Sequence, residues 1–293
     1  MILCAGEALI DMLPRGTPDG PGFLPVPGGA VFNTAIALGR LGAPVAFHSG
    51  LSTDLFGAKL ADALAASGVE DRTARSDRPT TLAFVTLTDG HAEYAFYDEG
   101  TAGRMLTPAD APDMAGIEAL FVGGISLAVE PCAQAYEALA LGRPDLPLMI
   151  DPNVRPGFVR DEVAYRARIG RLLAAADIVK MSDEDMAWLG LTAADVLGLG
   201  AHVLCLTEGA RGVRAITAAG EVHVPAPRVT VVDTVGAGDT FNAGLLAGLH
   251  RAGALAKAAP PEDALRSALT LGTSAAAVTV SRAGANPPWA HEL

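Results

Sequence analysis

Short apolar runs of β type alternate with apolar-faced helical runs along most of this 293-residue chain, and that alternation restricts the fold more than any other feature. Residues 2–9, 45–49, 119–122, 146–150, 177–181 and 202–207 read as buried strands. Residues 30–41, 55–67, 131–141 and 163–175 read as helices, with Gly42 and Gly68 at the C′ position where a left-handed residue ends a helix. Parallel neighbours need a crossover, and a crossover helix covers the sheet it spans. The sequence therefore predicts an α/β fold with a mostly parallel central sheet between helical layers.

Two segments break the rhythm. Residues 12–26 are rich in Pro and Gly, and residues 80–97 hold two extended runs, 81–88 and 92–97, around Asp89-Gly90. Asp-Gly between such runs signals a hairpin. Together, 12–26 and 80–98 predict a small antiparallel sheet set apart as a lid on a single domain covering 1–293. One face of such a sheet needs cover, by substrate or by a second chain. Phe84, Tyr94, Phe96 and Tyr97 fall on its strands, and alternation puts Tyr94 and Phe96 on one face. A further antiparallel patch is expected at 212–217 and 221–225 around Ala219-Gly220.

Composition excludes several classes. The formal net charge is −12, only Lys59, Lys180 and Lys257 supply lysine, and no basic run occurs, so nucleic acid is disfavoured as a partner. The longest uncharged apolar stretch, 268–280, is too short for a membrane span. Cys4, Cys132 and Cys205 lack paired spacing and read as buried free thiols, which suits a cytoplasmic setting. The start of the chain lacks the basic region of a signal peptide.

The stretch Asp233-Thr234-Val235-Gly236-Ala237-Gly238-Asp239-Thr240-Phe241 joins a strand-type run, 229–232, to an apolar helical run, 241–249. Gly236 and Gly238 let backbone N–H groups converge on an anion, and the helix dipole adds to the attraction. Asp239 has the wrong sign for a phosphate ligand. Its place beside an anion site makes sense if it handles the hydroxyl that attacks phosphorus. Other phosphate motifs fail: no Gly-Lys pair exists for a Walker A loop, and the third glycine of a dinucleotide fingerprint would be Phe241. Capping by Asp239 and simple turn formation by the glycines are the structural alternatives.

These residues resemble the PfkB, or ribokinase-like, family of carbohydrate kinases over nearly the whole chain. The resemblance rests on Asp233 to Asp239, on Gly28-Gly29-Ala30-Val31-Phe32-Asn33-Thr34-Ala35 through Arg40-Leu41-Gly42, and on Gly6-Glu7-Ala8-Leu9-Ile10-Asp11. Within the family, with Asp151-Pro152-Asn153-Val154-Arg155 also weighed, it is similar to bacterial fructokinases. That last motif also occurs in 2-keto-3-deoxygluconate kinases. The resemblance implies a ribokinase-like three-layer sandwich and ATP-dependent phosphorylation of a sugar's primary hydroxyl, D-fructose first. The alternatives are 2-keto-3-deoxygluconate, for whose acid group Arg155 or Arg104 offers a cation, then a ribokinase-type substrate. Outside the enzymes stands a catalytically silent sugar-binding regulator, and outside the kinases a dinucleotide oxidoreductase. One departure is Ser52, where the family often has glycine.

By the same resemblance, Asp239 takes the hydroxyl proton, its pKa expected low at a helix N-terminus, and Gly236, Ala237 and Gly238 hold the transferring phosphoryl group. Asp11, Gly28, Gly29 and Asn33 face the sugar; Asn153 and Arg155 are placed with them by following the strand 146–150, with Arg155 open to a phosphate, a sugar oxygen, a carboxylate or a structural Arg-Asp pair. Thr207, Gly209, Gly212 and Lys180 belong to the nucleotide end, with the adenine pocket completed near 268–276. Mg2+ is expected mainly on ATP, with Asp185 and Glu184 acting through its waters in place of the family's Asn-x-x-Glu. A helix start capped by Ser182 explains those acids equally well. Asp233 and the 281–285 loop are the candidate site for K+. A homodimer through the lid is the implied assembly.

Overall fold

The computed structural model describes residues 1–18, 20–88 and 91–293, with 86–88 and 91–94 described by backbone alone. The Asp89-Gly90 turn and the side chain of Tyr94 lie outside the described residues.

Among the described residues, nine strands form the main sheet. They are β1 (Ile2–Ala5), β4 (Val45–His48), β6 (Glu70–Asp71), β10 (Ala119–Gly123), β11 (Leu148–Asp151), β12 (Ile178–Ser182), β13 (Val203–Thr207), β14 (Val213–Thr217) and β15 (Gly220–Val224), in the order β15-β14-β13-β12-β11-β10-β1-β4-β6. Every neighbouring pair from β6 to β13 is parallel. The hairpin β14–β15 adds an antiparallel edge, so the patch expected at 212–225 extends this sheet.

The two faces of the sheet are legible in alternation. Ile2, Cys4, Phe47 and Phe121 enter one apolar core with α1 (Ala30–Arg40), α2 (Leu55–Ala66), α7 (Ala237–Arg251) and α8 (Glu262–Val280). Leu3, Ala5, Ala46 and Leu120 enter the other, with α3 (Cys132–Leu141), α4 (Glu162–Ala175), α5 (Asp183–Leu189) and α6 (Ala193–Gly198). Both faces are buried, as a parallel sheet requires, and the three-layer expectation holds.

The second sheet comprises β2 (Leu9–Thr17), β3 (Gly20–Gly28), β8 (Leu82–Thr88) and β9 (His91–Tyr97), ordered β3-β2-β8-β9. It starts three residues earlier than the composition of 12–26 suggested, because the chain leaves β1 at Gly6. A Cβ on Gly6 would lie 2.4 Å from the side chain of Val31, so the turn is pressed against α1. Two short strands, β5 (Gly50–Ser52) and β7 (Ala74–Ser76), pair separately. Ser52 lacks a positive φ and its Oγ accepts the Asp54 N–H, so serine replaces glycine there without backbone strain.

One expectation fails. Residues 229–232 form no strand; Val229, Val231 and Val232 are exposed. No strand lies alongside to accept their amides. The N–H groups of Val232 and Asp233 bond instead to the carbonyl of Val280, at the end of α8.

α7 sits between α1 and α8 at very short range. A Cβ on Gly244 would come within 2.5 Å of Gly272 Cα, and one on Gly248 within 2.5 Å of Ala268 Cα. The small residues Ala268 and Gly272 thus serve close packing against α7. This packing fixes where α7 begins. Gly244→Ala is therefore expected to destabilise the protein by about 1–3 kcal/mol through overpacking. Gly170→Ala, in α4 with nothing within 4 Å of the new methyl, is expected to be neutral or to stabilise by up to ~1 kcal/mol. Urea unfolding of the two variants separates the effects.

Candidate active site

A cleft of about 760 Å³ opens at the carboxyl ends of the parallel strands and is roofed by the small sheet. Strand order reverses between β1 and β10, and the cleft lies over that reversal, where open α/β sheets leave a crevice. Glu7 closes the reversal from within. Its Oε1 accepts the N–H of Ala30 at the start of α1 (2.9 Å), and Oε2 that of Ser126 after β10 (3.3 Å). Burial raises its pKa, and those hydrogen bonds work in the opposite direction.

Register across the small sheet places Asp11, Ala83 and Phe96 in one row. Asp11 and Phe96 line the cleft. The Asp11 carboxylate has no protein donor among the described residues, and burial pushes its pKa up to about 6. Gly28 makes room for it: a Cβ there would lie 2.2 Å from Asp11 Oδ2. Gly29 is the N-cap of α1 with φ 109°, a conformation glycine tolerates. Asn33, in the first turns of α1, points across to α7, and its Nδ2 donates to Asp239 Oδ2 at 2.9 Å.

Asp239 is the third residue of α7, behind the N-cap Gly236 (φ 77°), so it does not cap the helix. The N–H groups of Gly236, Gly238 and Asp239 find no acceptor among the described residues, which leaves an anion cradle of first-turn amides. Asp239 Oδ2 is held by Asn33; no protein donor among the described residues reaches Oδ1. The pKa was expected to be low. It is instead pushed up to about 7, chiefly by burial, with the Asn33 hydrogen bond opposing. Desolvation outweighs the dipole here.

Beneath the cradle lies a buried polar knot. Lys180 Nζ donates to Asp151 Oδ2 at 3.0 Å, and Asn242 Nδ2, from α7, donates to the same oxygen at 2.7 Å. Burial alone would lower the Lys180 pKa; Asp151 outweighs it and holds the ammonium above its ordinary range. A Cβ on Gly238 would sit 3.2 Å from Lys180 Nζ, which places this lysine at the anion cradle. Asn153 follows Asp151 in the left-handed region, φ 42°. Arg155 is exposed, and its Nη1 bonds to the carbonyl of Val154. Both residues line the cleft.

The acids after β12 behave as a cap. Asp185 Oδ2 accepts from the N–H and Oγ of Ser182, and Oδ1 accepts the N–H of Val154 at 2.8 Å. Both oxygens of Asp185 already hold protein donors, whereas Glu184 is exposed. No group of three His, Cys, Asp or Glu side chains suited to a metal occurs among the described residues. Asp233 ties its loop to the 281–285 segment, accepting from Val235 N–H at 3.0 Å and Gly284 N–H at 2.9 Å. At the end of β13, Thr207 donates to the Met181 carbonyl. Gly209 has φ 57° and open space around it. Gly212 has φ 98°, and a Cβ there would lie 2.2 Å from the Val224 carbonyl, so packing alone requires it.

The sequence assigned no role to three cleft residues and one residue buried beneath the cleft. Glu7 falls within the Gly6–Asp11 stretch but was given no role there, and Asn242, beneath the cradle, is only a polar residue in an apolar run. Asp98 and Phe158 are brought in by the lid: Asp98 pairs with Arg104 (2.8 Å), and the rings of Phe96 and Phe158 meet edge to face at 4.4 Å.

A model of the pfkB family carbohydrate kinases matches residues 1–292. A fructokinase of Rhizobium leguminosarum bv. trifolii is 54% identical over 280 residues, covering 91% of this chain and 86% of that protein. Among solved structures, fructokinase with bound ATP from Xylella fastidiosa superimposes with a TM-score of 0.88 at 31% identity, covering 97% of this chain and 93% of that one. A double-mutant fructokinase from Vibrio cholerae O395, with fructose, ADP and potassium ion bound, gives 0.85 at 25% identity, covering 97% and 93%. These neighbours share the ribokinase-like architecture.

The buried carboxyl has a consequence for stability. It titrates near 7 folded and near 3.8 free, so the folded state binds the proton more tightly. Its contribution is present below about pH 4 and is lost as pH rises to about 7. Asp239→Asn lacks this ionisation. Its stability relative to wild type is expected to rise by on the order of a few kcal/mol across that window and level off above it. Urea unfolding at several pH values tests this; a pH-independent difference contradicts it.

Proposed function

The chain belongs to the pfkB family of carbohydrate kinases, and we propose that it transfers the γ-phosphoryl group of ATP to the primary hydroxyl of D-fructose, giving fructose 6-phosphate. The observation that carries the reading is the placement of Asp239 between unbonded first-turn amides on one side and an Asp11 carboxylate without a donor on the other. The first arrangement suits an anion, the second a polyol. The choice of fructose is supported by the 54% identity to a fructokinase over most of the chain.

In this reading Asp11 accepts hydrogen bonds from two sugar hydroxyls, and Asn33, Gly28, Gly29 and Asn153 shape the pocket around them. Asn33 fixes the Asp239 carboxylate through Oδ2, so Oδ1 is left for the attacking hydroxyl. As the new oxygen–phosphorus bond forms and the bond to the β-phosphate oxygen breaks, the hydroxyl proton passes to Asp239. A base near 7 is suited to this at neutral pH. The amides of Gly236, Gly238 and Asp239, with Lys180 behind them, stabilise the charge on the transferring group. Ala237 contributes helix backbone only.

The nucleotide end is assigned to Thr207, Gly209 and Gly212, with the exposed Val229, Val231 and Val232 as apolar cover for the purine. Mg2+ fits best as an ion carried by the ATP phosphates, since Asp185 is occupied as a cap; Glu184 is free to reach its waters. Asp233 keeps lone pairs beyond its two backbone bonds and suits one ligand position for K+. The small sheet, 9–28 with 82–97, acts as the lid, and Phe96 on Phe158 closes it against water. Its outer face carries Phe23, Phe84 and Tyr97 in edge-to-face contact, with Phe23 46% and Tyr97 63% exposed, a surface for a homodimer. Three buried unpaired cysteines are consistent with the cytoplasm.

Asp239→Asn is expected to lower turnover by about 10³-fold or more while the fold and ATP binding persist; near-normal turnover would remove Asp239 from this role. In wild type, kcat/KM for fructose is expected to rise with pH up to about 7. Below about 6 the slope steepens as Asp11 also takes a proton. Asp11→Asn is expected to raise KM for the sugar more than it lowers kcat. A panel of fructose, ribose, glucose and 2-keto-3-deoxygluconate with ATP tests the acceptor directly.

A further inference from the structure

Arg104 lines the sugar end of the cleft, and its charge is already matched. Its Nη1 donates to Asp98 Oδ2 at 2.8 Å and its Nε to the Glu130 carbonyl at 3.1 Å. The pair is well shielded, with side chains 14% and 15% exposed. Asp98 is held independently of the arginine. It is the residue after β9, and its carbonyl accepts from the N–H and Oγ1 of Thr101, at 3.3 and 2.9 Å. The Asp98 backbone is therefore anchored beside Arg104 by contacts other than the ion pair.

The charges around the pair lean the same way. Glu7, Asp11 and Asp98 all line this part of the cleft. Against these three carboxyls the cleft has three guanidiniums, of which Arg155 and Arg160 are exposed to water and only Arg104 is shielded and matched. Arg155 is on the exposed loop after β11 and is turned to its neighbour's carbonyl. A neutral polyol brings hydroxyl donors to such a surface. A sugar acid brings another carboxylate and finds no unmatched guanidinium shielded from water, since Arg155 and Arg160 are exposed and screened, so desolvating it is poorly compensated.

We infer that Asp98 sets the acceptor class: by neutralising Arg104 it removes the counter-ion that a sugar acid would need, and so restricts the site to neutral sugars. The inference rests on the reading of this cleft as a sugar kinase site. It gives a physical reason for preferring fructose to 2-keto-3-deoxygluconate, for which Arg104 is otherwise a suitable partner. Discrimination here comes from an occupied charge, a repulsive device more than an attractive one.

The test measures kcat/KM for D-fructose and for 2-keto-3-deoxygluconate, at low and high salt, in wild type, Asp98→Asn, Arg104→Gln and the double variant, with melting temperatures alongside. Asp98→Asn is nearly isosteric and leaves Arg104 charged. It is expected to raise the acid-to-fructose ratio by about tenfold or more, less so at high salt, and adding Arg104→Gln is expected to reverse the gain. A merely structural pair would lower both substrates together and leave the ratio unmoved, which overturns the inference. So does a raised ratio that survives removal of Arg104. Should Asp98→Asn not fold, Arg104→Gln decides: the ratio is expected to stay at or below that of wild type, and a rise would overturn the proposal. If wild type phosphorylates neither fructose nor any other neutral sugar, the kinase reading itself fails, and that outcome is separate from the ratio.

Discussion

A carboxylate is held out of water at the N-terminus of α7, and much of the surrounding structure answers the demands of that burial. Asp239 is 8% exposed, and desolvation lifts its pKa to about 7. Left alone, such a group would simply protonate. Asn33 donates to one oxygen, and Lys180, anchored on Asp151, supplies positive charge nearby. Asp151 in turn is tied to α7 by Asn242. The result is one connected network joining α1, α7, β11 and β12, rather than a lone acid in a loop. Networks of this kind specify a single arrangement because each member is costly to leave unpaired.

That network only works if α7 starts in the right place, and glycine decides this. Gly244, Gly248 and Gly272 allow α7 and α8 to approach until backbone touches backbone. Gly236 lets the chain turn into α7 with positive φ while its own amide and those of Gly238 and Asp239 stay unbonded. At the other end of the cleft, Gly28 leaves room for the carboxylate of Asp11. Close packing, not chain flexibility, is what these positions require. The same economy explains why the Ala- and Gly-rich part of α8 is spent mostly on α7.

Charge matching governs the sugar end in a similar way. Asp11 is without a donor among the described residues, whereas Arg104 is ion-paired with Asp98 and bonded to the Glu130 carbonyl. A surface that offers free acceptors and keeps its shielded guanidinium paired is suited to hydroxyls. The aromatic pair Phe96–Phe158 lies over this region and joins the lid to the loop after β11. The proposed water exclusion and acceptor selection would therefore draw on elements that are distant in sequence, 96–104 and 151–158.

The alternating strands and helices, the two hairpins and the glycine-rich loop before α7 were all legible in the sequence, because each is set by local periodicity or by the backbone freedom of glycine. So was the pairing of Ser182 with Asp185 as a helix cap. What the sequence misjudged depends on neighbours. Residues 229–232 have β-type composition but pair with no strand among the described residues, and the amides of Val232 and Asp233 bond to the end of α8 instead. Asp239 carries the helix dipole in its local sequence, yet its pKa follows burial by α1 and the strands beneath. Glu7 and Asp98 lay within segments the sequence singled out, yet nothing local gave either a role, since their importance comes from partners 23, 119 and 6 residues away. By itself, the sequence determined the layers of the fold and the kind of chemistry, through short-range patterns. Only the tertiary structure decided how the carboxylates titrate and which charges remain free, because desolvation and ion pairing are properties of what folding brings together.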